Sequence, residues 1–273
     1  MFYATHIAGE YDPLDIRQGD VVLDAGANIG DFTIYASRKV GPSGRVVAVE
    51  PNSRVLPYLD WNLRENACDN TYVARCALGR PGSAYLVETP DGGTVGSSTN
   101  RSGSGVEIPV RPIDDILSDM GVAAPDVVKM DIEGAESDAL LGFKGLSRVR
   151  SLAIELHGEE NLREVPRLLR SQFELWYETS AYVLRRSVVR VANHPFDFVM
   201  AECRSGFLAT SAVLRLIRGF GHPVPSVGQS NLAIVYGKRR GYATETSGAS
   251  RTSTFLWSNG TTPSRGADLH QHL

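Results

Sequence analysis

Three short apolar runs in this chain each end in a carboxylate: Val21-Val22-Leu23-Asp24, Val46-Val47-Ala48-Val49-Glu50 and Val127-Val128-Lys129-Met130-Asp131. An apolar run of this length bounded by Gly or turn residues reads as a buried parallel strand, and open α/β sheets bind ligands just beyond the carboxyl ends of such strands. The acids therefore converge on one crevice. The first run continues into Ala25-Gly26-Ala27-Asn28-Ile29-Gly30. Two glycines bracketing a strand-to-helix turn let backbone amides approach a ligand, and the helix that follows offers free N–H groups to a carboxylate.

A dinucleotide fingerprint is the main competitor for that turn, but it requires Gly-x-Gly-x-x-Gly, and position 28 is Asn. An acid at Asp24 repels a pyrophosphate and suits an amino group or a sulfonium. Glu50 lies 20 positions beyond Gly30, where an acid in this topology accepts both ribose hydroxyls. The cofactor these features fit is S-adenosylmethionine, with Asp24, Gly26, Asn28, Gly30, Glu50 and Asp131 as its expected contacts.

The 273 residues, 42% hydrophobic with a formal net charge of −3, suffice for one large α/β domain. Near-neutral charge argues against non-specific nucleic-acid binding, which uses a basic face. Cys68, Cys76 and Cys203 are odd in number and lack metal-ligand spacing, so neither a disulfide framework nor a metal centre is expected, and a reducing cytoplasm fits best. No run approaches the ~18 apolar residues of a membrane span.

The elements that must position these residues follow from apolar periodicity. Strands are expected at 21–25, 45–50, 71–78, 126–131, 151–157, 173–177 and 231–236. Helices are expected at 29–39, at 53–66 with Ser53 as its cap, from 113, and at 159–171 despite Pro166. This alternation implies right-handed βαβ units and a Rossmann-like, doubly wound, mostly parallel sheet, closed by an antiparallel last strand. Residues 82–88 and 106–111 read as extra strands around a Gly/Ser/Thr-rich connector, 89–105, with room to close over a site. A single domain is expected over 1–240, with a variable insert at 180–230. That insert carries Arg185, Arg186, Arg190, Arg204, Arg215 and Arg218 against Asp197 and Glu202. It reads either as a solvated face or as a recognition element for an anionic acceptor. Beyond Gly241 the Ser/Thr/Gly-rich chain has little to bury and is expected to be disordered.

The whole arrangement resembles the FkbM-type family of S-adenosylmethionine-dependent methyltransferases. The matching residues are Leu23 to Gly30, Val49-Glu50-Pro51-Asn52, the pair Asn62 and Asn66, Ala77-Leu78-Gly79, Ile113-Asp114-Asp115, Ile154-Glu155-Leu156-His157 and, most specific, Lys129-Met130-Asp131-Ile132-Glu133-Gly134-Ala135-Glu136. The resemblance spans about residues 10–160. It implies a class I methyltransferase fold and transfer to a hydroxyl of a small molecule, natural product or glycan.

Such an acceptor must lose a proton, which directs attention to acids and His at the carboxyl ends of the fourth and fifth main strands. Asp131, Glu133, Glu155 and His157 are the catalytic candidates. Glu155 and His157 are two apart and point to one side. Asp131 or His157 is expected to take the proton while Glu133 and Glu155 position the acceptor. Lys129, between apolar neighbours, reads as half of a buried ion pair with Glu155 or another acid. The four candidates could also hold Mg²⁺ against a hydroxyl, though nothing in their spacing demands it. A nicotinamide-dependent oxidoreductase and a non-catalytic cofactor-binding subunit are the competing functions.

Overall fold

The computed structural model describes residues 10–87, 98–100, 105–177 and 232–241. β1 (Val21–Ala25) is flanked by β2 (Arg45–Val49) and β8 (Val127–Met130), both parallel to it, with Asp24 opposite Ala48 on one side and Lys129 on the other. All three are almost wholly buried, as continuous apolar runs require. β3 (Thr71–Ala74) extends the sheet beyond β2, β9 (Ser151–His157) extends it beyond β8, and β11 (Leu232–Arg239) lies antiparallel between β9 and β10 (Phe173–Tyr177). The order is β10-β11-β9-β8-β1-β2-β3. This is the doubly wound, mostly parallel sheet with an antiparallel last strand.

Strand alternation decides which helix covers which residues. Val22, Val46, Val127 and Ala153 face α1 (Asp31–Val40), where Phe32, Ala36 and Val40 meet them. Ala48 on that face meets Leu56, Leu59 and Leu63 of α2 (Leu56–Glu65). The alternate set, Leu23, Val47, Val128, Leu152 and Ile154, packs on α3 (Ile113–Asp119), α4 (Glu136–Leu141) and α5 (Gly158–Leu169). Helices therefore sit on both faces. The same alternation puts Lys129 beside Asp24 on the α1 face.

Three expectations are corrected. The run 71–78 is two strands: β3 ends at Ala74, and β4 (Ala77–Leu78) joins a second, four-stranded sheet beside β7 (Val106–Arg111). Ala74, Cys76, Ala77 and Leu78 are buried on either side of the switch while Tyr72 and Arg75 are exposed, so the sequence carries no marker of where one sheet ends and the other begins. β5 (Gly82–Val87) completes that sheet with β6 (Ser98–Asn100), a three-residue strand inside the expected connector. Its Ser-Thr-Asn sequence carries no apolar alternation that would mark it. Helix α2 begins at Leu56, not 53, and Ser53 does not cap it. Instead Val55 and Leu56 donate to the Asn52 carbonyl, and the Asn52 side chain accepts from Arg54 N. A 3-10 helix, Lys144–Arg148, was not expected.

The lead-in to β1 is anchored rather than loose. Leu14 is fully buried, Tyr236 donates to the Glu10 carbonyl, and the Arg150 guanidinium bonds the Asp15 carbonyl and pairs with Asp20 at 2.5 Å. The described residues belong to one compact unit, Met1–Tyr242. The insert at 180–230 and nearly all of the tail lie outside the described residues, as does most of 89–105. Among the described residues, no helix is long and apolar enough to cross a membrane.

Candidate active site

A cavity of about 330 Å³ opens beyond the carboxyl ends of β1, β2, β8 and β9. Gly26, Asn28, Glu50, Asp131, Glu133 and Glu155 all line it. Asp24, Gly30 and His157 do not.

Asp24 is fully buried beneath the turn. Its carboxylate accepts from Thr33 Oγ1 at 2.5 Å and lies 3.2 Å from Lys129 Nζ, which donates to the Gly26 carbonyl at 2.8 Å. Burial works against the Lys129 charge, but Asp24, Asp131 and Glu155 outweigh it and hold its pKa above the ordinary value. The expected buried ion pair is therefore present, with Asp24 as partner. Asp24 itself does not line the cavity: its Oδ2 is taken by Thr33 and its Oδ1 stands beside Lys129.

The turn is left-handed at Gly26, Asn28 and Gly30, with φ of 81°, 50° and 95°. Gly26 is required by close approach, since a Cβ there would lie 1.8 Å from the Asp131 carbonyl oxygen. Asn tolerates this backbone region better than most residues, which suits position 28. Asn62 Nδ2 donates to the Ile29 carbonyl at 2.7 Å and fixes the exit into α1.

Glu50 is 7% exposed, and its two oxygens accept from Asn28 N at 2.9 Å and Asn52 N at 2.8 Å. Burial raises its pKa, opposed by those two bonds and by Lys129. Each carboxylate oxygen keeps a second lone pair for a ligand. Beside it, Pro51, Val55, Cys76, Ala77 and Leu78 form an apolar wall. Sequence reasoning assigned no site role to Cys76, which ends the break between the two sheets.

At the far end, His157 Nε2 lies 3.4 Å from Glu133, 3.8 Å from Asp131 and 3.9 Å from Glu155, while Nδ1 lies 3.0 Å from Glu136 Oε1. All four catalytic candidates are thus brought together. Glu133 has φ of 56°, an uncommon conformation for a residue with a side chain. One ligand-type atom from each of Asp131, Glu155 and His157 lies within 4.8 Å of the others.

Burial and the Asp131 charge push the Glu155 carboxyl up to about 7. Burial lowers the His157 imidazole, but the bond to Glu136 and the charges of Glu136, Glu133 and Asp131 prevail and raise it to about 9.

Two wall residues come from the lead-in, Glu10 and Tyr11, with Tyr11 edge-on to Phe32 at 4.7 Å between centroids. The Tyr11 phenol is raised well above its usual value by burial, then by Glu10, Asp131, Asp24 and Glu155. No periodicity in residues 1–20 signals these positions.

The match of a sequence model for the methyltransferase FkbM domain covers residues 24–177, more than half of the chain. Among relatives, methyltransferase sdnD of Sordaria araneosa is 24% identical over 227 residues, covering 70% of this chain and 85% of that one. The 31-O-demethyl-FK506 methyltransferase FkbM of Streptomyces tacrolimicus is 28% identical over 195 residues, covering 58% and 73%. The hexuronic acid methyltransferase AglP of Haloferax volcanii is 26% identical over 169 residues, covering 60% and 69%. The chain belongs to the methyltransferase FkbM domain family, and its methyl donor is S-adenosylmethionine.

Proposed function

We propose that this protein transfers the donor methyl to a hydroxyl oxygen of a small molecule or glycan, within a single catalytic domain over 1–240. The observation that carries this reading is the His157 imidazole among Asp131, Glu133 and Glu155 at the end of the donor crevice. A neutral hydroxyl needs a proton acceptor in the transition state, and this reading gives that role to His157 Nε2 in its neutral form. The relatives from Streptomyces tacrolimicus and Haloferax volcanii, named for 31-O-demethyl-FK506 and for hexuronic acid, support the acceptor class.

In this reading Glu50 takes the ribose hydroxyls, the turn at Gly26 to Gly30 takes the amino-acid end, and the wall of Cys76 to Leu78 takes the base. Asp131 faces the sulfonium. The bound donor would supply the methyl group, its sulfur keeping the S–C bonding pair, and His157 Nε2 would take the hydroxyl proton as the acceptor oxygen gains the methyl. The sulfonium charge disappears as an imidazolium charge appears, so the net charge of the site stays constant. Asp131, Glu133 and Glu155 stabilise either cation without reorganising. Against burial, the surrounding acids raise His157 to about 9, so the share of neutral, proton-accepting imidazole grows as pH rises, and turnover is expected to increase from pH 7 towards pH 9.

Two binding results are expected. Glu50→Gln turns an amide NH₂ toward one of two backbone N–H donors and removes a charged acceptor, weakening donor binding by about 2 kcal/mol, or roughly thirtyfold, by calorimetry. Second, donor affinity depends on pH through two groups. Between pH 6 and 9 Glu155, at about 7, and His157, at about 9, both lose protons, and the site gains negative charge. The ratio of S-adenosylmethionine affinity to S-adenosylhomocysteine affinity is expected to rise roughly tenfold over that range, because only the former carries the sulfonium. A flat ratio would contradict the assignment. To test the reaction itself, release of S-adenosylhomocysteine is followed with hydroxylated acceptors and with their deoxy counterparts; turnover on the deoxy series alone would refute oxygen transfer.

A further inference from the structure

Behind His157 lies a buried network that the reaction just described leaves unexplained. Glu136 is fully buried and Asn161 is 3% exposed. Glu136 Oε1 meets His157 Nδ1 at 3.0 Å and accepts from Gly134 N at 3.0 Å, while Oε2 accepts from Asn161 Nδ2 at 2.6 Å. Asn161 Nδ2 also lies 2.9 Å from the Gly134 and His157 carbonyls, and its Oδ1 accepts from Ser137 N at 2.9 Å. The amide orientation is therefore fixed from both ends: its oxygen faces a backbone N–H, and its nitrogen faces three oxygens.

We infer that Glu136, clamped by Asn161, is a positioning residue that holds the proton of neutral His157 on Nδ1 and leaves the Nε2 lone pair facing the acceptor. This rests on the reading of His157 as proton acceptor. An ionised carboxylate only accepts, so a neutral imidazole 3.0 Å away must present Nδ1–H to it. The other groups facing the ring, Asp131 and Glu133 from the β8–α4 connection and Glu155 from β9, all lie on the Nε2 side. The tautomer is thus set by one residue on the opposite side. Its burial is a cost that a helix-terminus acid would not need to meet, since such an acid works from the surface.

The same geometry predicts what an amide does there. In Glu136→Gln a single amide oxygen must serve what two carboxylate oxygens served, Gly134 N–H and Nδ1–H at one position and Asn161 Nδ2 at the other, so the charged acceptor that holds the proton on Nδ1 is lost whichever way the amide turns. In triad enzymes, exchanging the orienting carboxylate for an amide preserves geometry but costs about 10⁴ in kcat through the wrong tautomer. A more polar, partly open site is expected to lose 10²–10³-fold here.

The experiment measures steady-state turnover and donor binding for wild type and Glu136→Gln, with ¹⁵N NMR of His157 above its titration. The expected results are a kcat loss of that size in Glu136→Gln, with donor Kd and acceptor KM within about threefold. The ¹⁵N shifts are expected to report Nδ1–H in wild type and a larger Nε2–H share in Glu136→Gln. A kcat within threefold of wild type in folded Glu136→Gln overturns the inference. So does Nε2–H in neutral wild-type His157, a measurement that needs no variant to fold and no acceptor. If wild type methylates no hydroxyl yet shows Nδ1–H, the proposed function fails and the tautomer assignment stands.

Discussion

His157→Ala is expected to lower turnover by 10² to 10⁴-fold while leaving donor affinity within a few-fold, as removal of a positioned general base does. The loss belongs to kcat, because the imidazole gains its full interaction only as the acceptor proton transfers. Asp131→Asn separates the base from its surroundings. Asp131 lines the cavity and lies 3.8 Å from Nε2, so its replacement removes stabilisation from both the sulfonium and the imidazolium. Donor affinity and turnover are both expected to fall, by roughly tenfold each. Isothermal calorimetry and initial rates on the two variants make the distinction. Near-normal turnover in both, with cofactor bound, would remove these residues from the proton path.

Gly26→Ala is expected to cost on the order of 4 kcal/mol of stability and to abolish measurable donor binding. A Cβ at 1.8 Å from the Asp131 carbonyl oxygen must move beyond about 3 Å, and the obstacle is backbone, which has no rotamer to change. The φ of 81° adds the left-handed penalty of about 1 kcal/mol. Separating β1 from the end of β8 also breaks the bond from Lys129 Nζ to the Gly26 carbonyl and disturbs the two N–H bonds from Gly26 and Ala27 to the Val49 carbonyl. Against a total stability of 5–15 kcal/mol typical of domains, such a loss shifts the denaturant midpoint strongly. A variant with an unchanged midpoint and donor affinity would contradict the role assigned to the turn.

The parallel sheet was legible because its central strands are buried on both faces and must read as unbroken apolar runs. The acids at their ends were legible for the same reason: where the run stops, the chain meets the crevice. Period-two alternation likewise placed Glu155 and His157 on one side. What alternation could not carry is depth. Asp24 is fully buried and paired with Lys129 directly opposite in register, a pairing that becomes apparent only once β1 and β8 are adjacent. Nor could it place Tyr11, whose segment is held by Leu14, Arg150 and Tyr236 across 130 residues or more rather than by local pattern. Glu136 is a related case. It belongs to the quoted strand-four motif, but its place at the start of α4, after a left-handed Glu133-Gly134, turns its side chain inward to Asn161, which sequence spacing does not reveal.

The central claim, transfer of a methyl from S-adenosylmethionine to oxygen, is tested most directly by incubating the protein with the methyl-¹³C donor and hydroxylated acceptor extracts, then reading the product by ¹³C–¹H correlation NMR. The predicted result is a labelled methyl bonded to oxygen, appearing in step with S-adenosylhomocysteine and absent with His157→Ala. Label bonded to nitrogen or carbon, with none on oxygen, would contradict it.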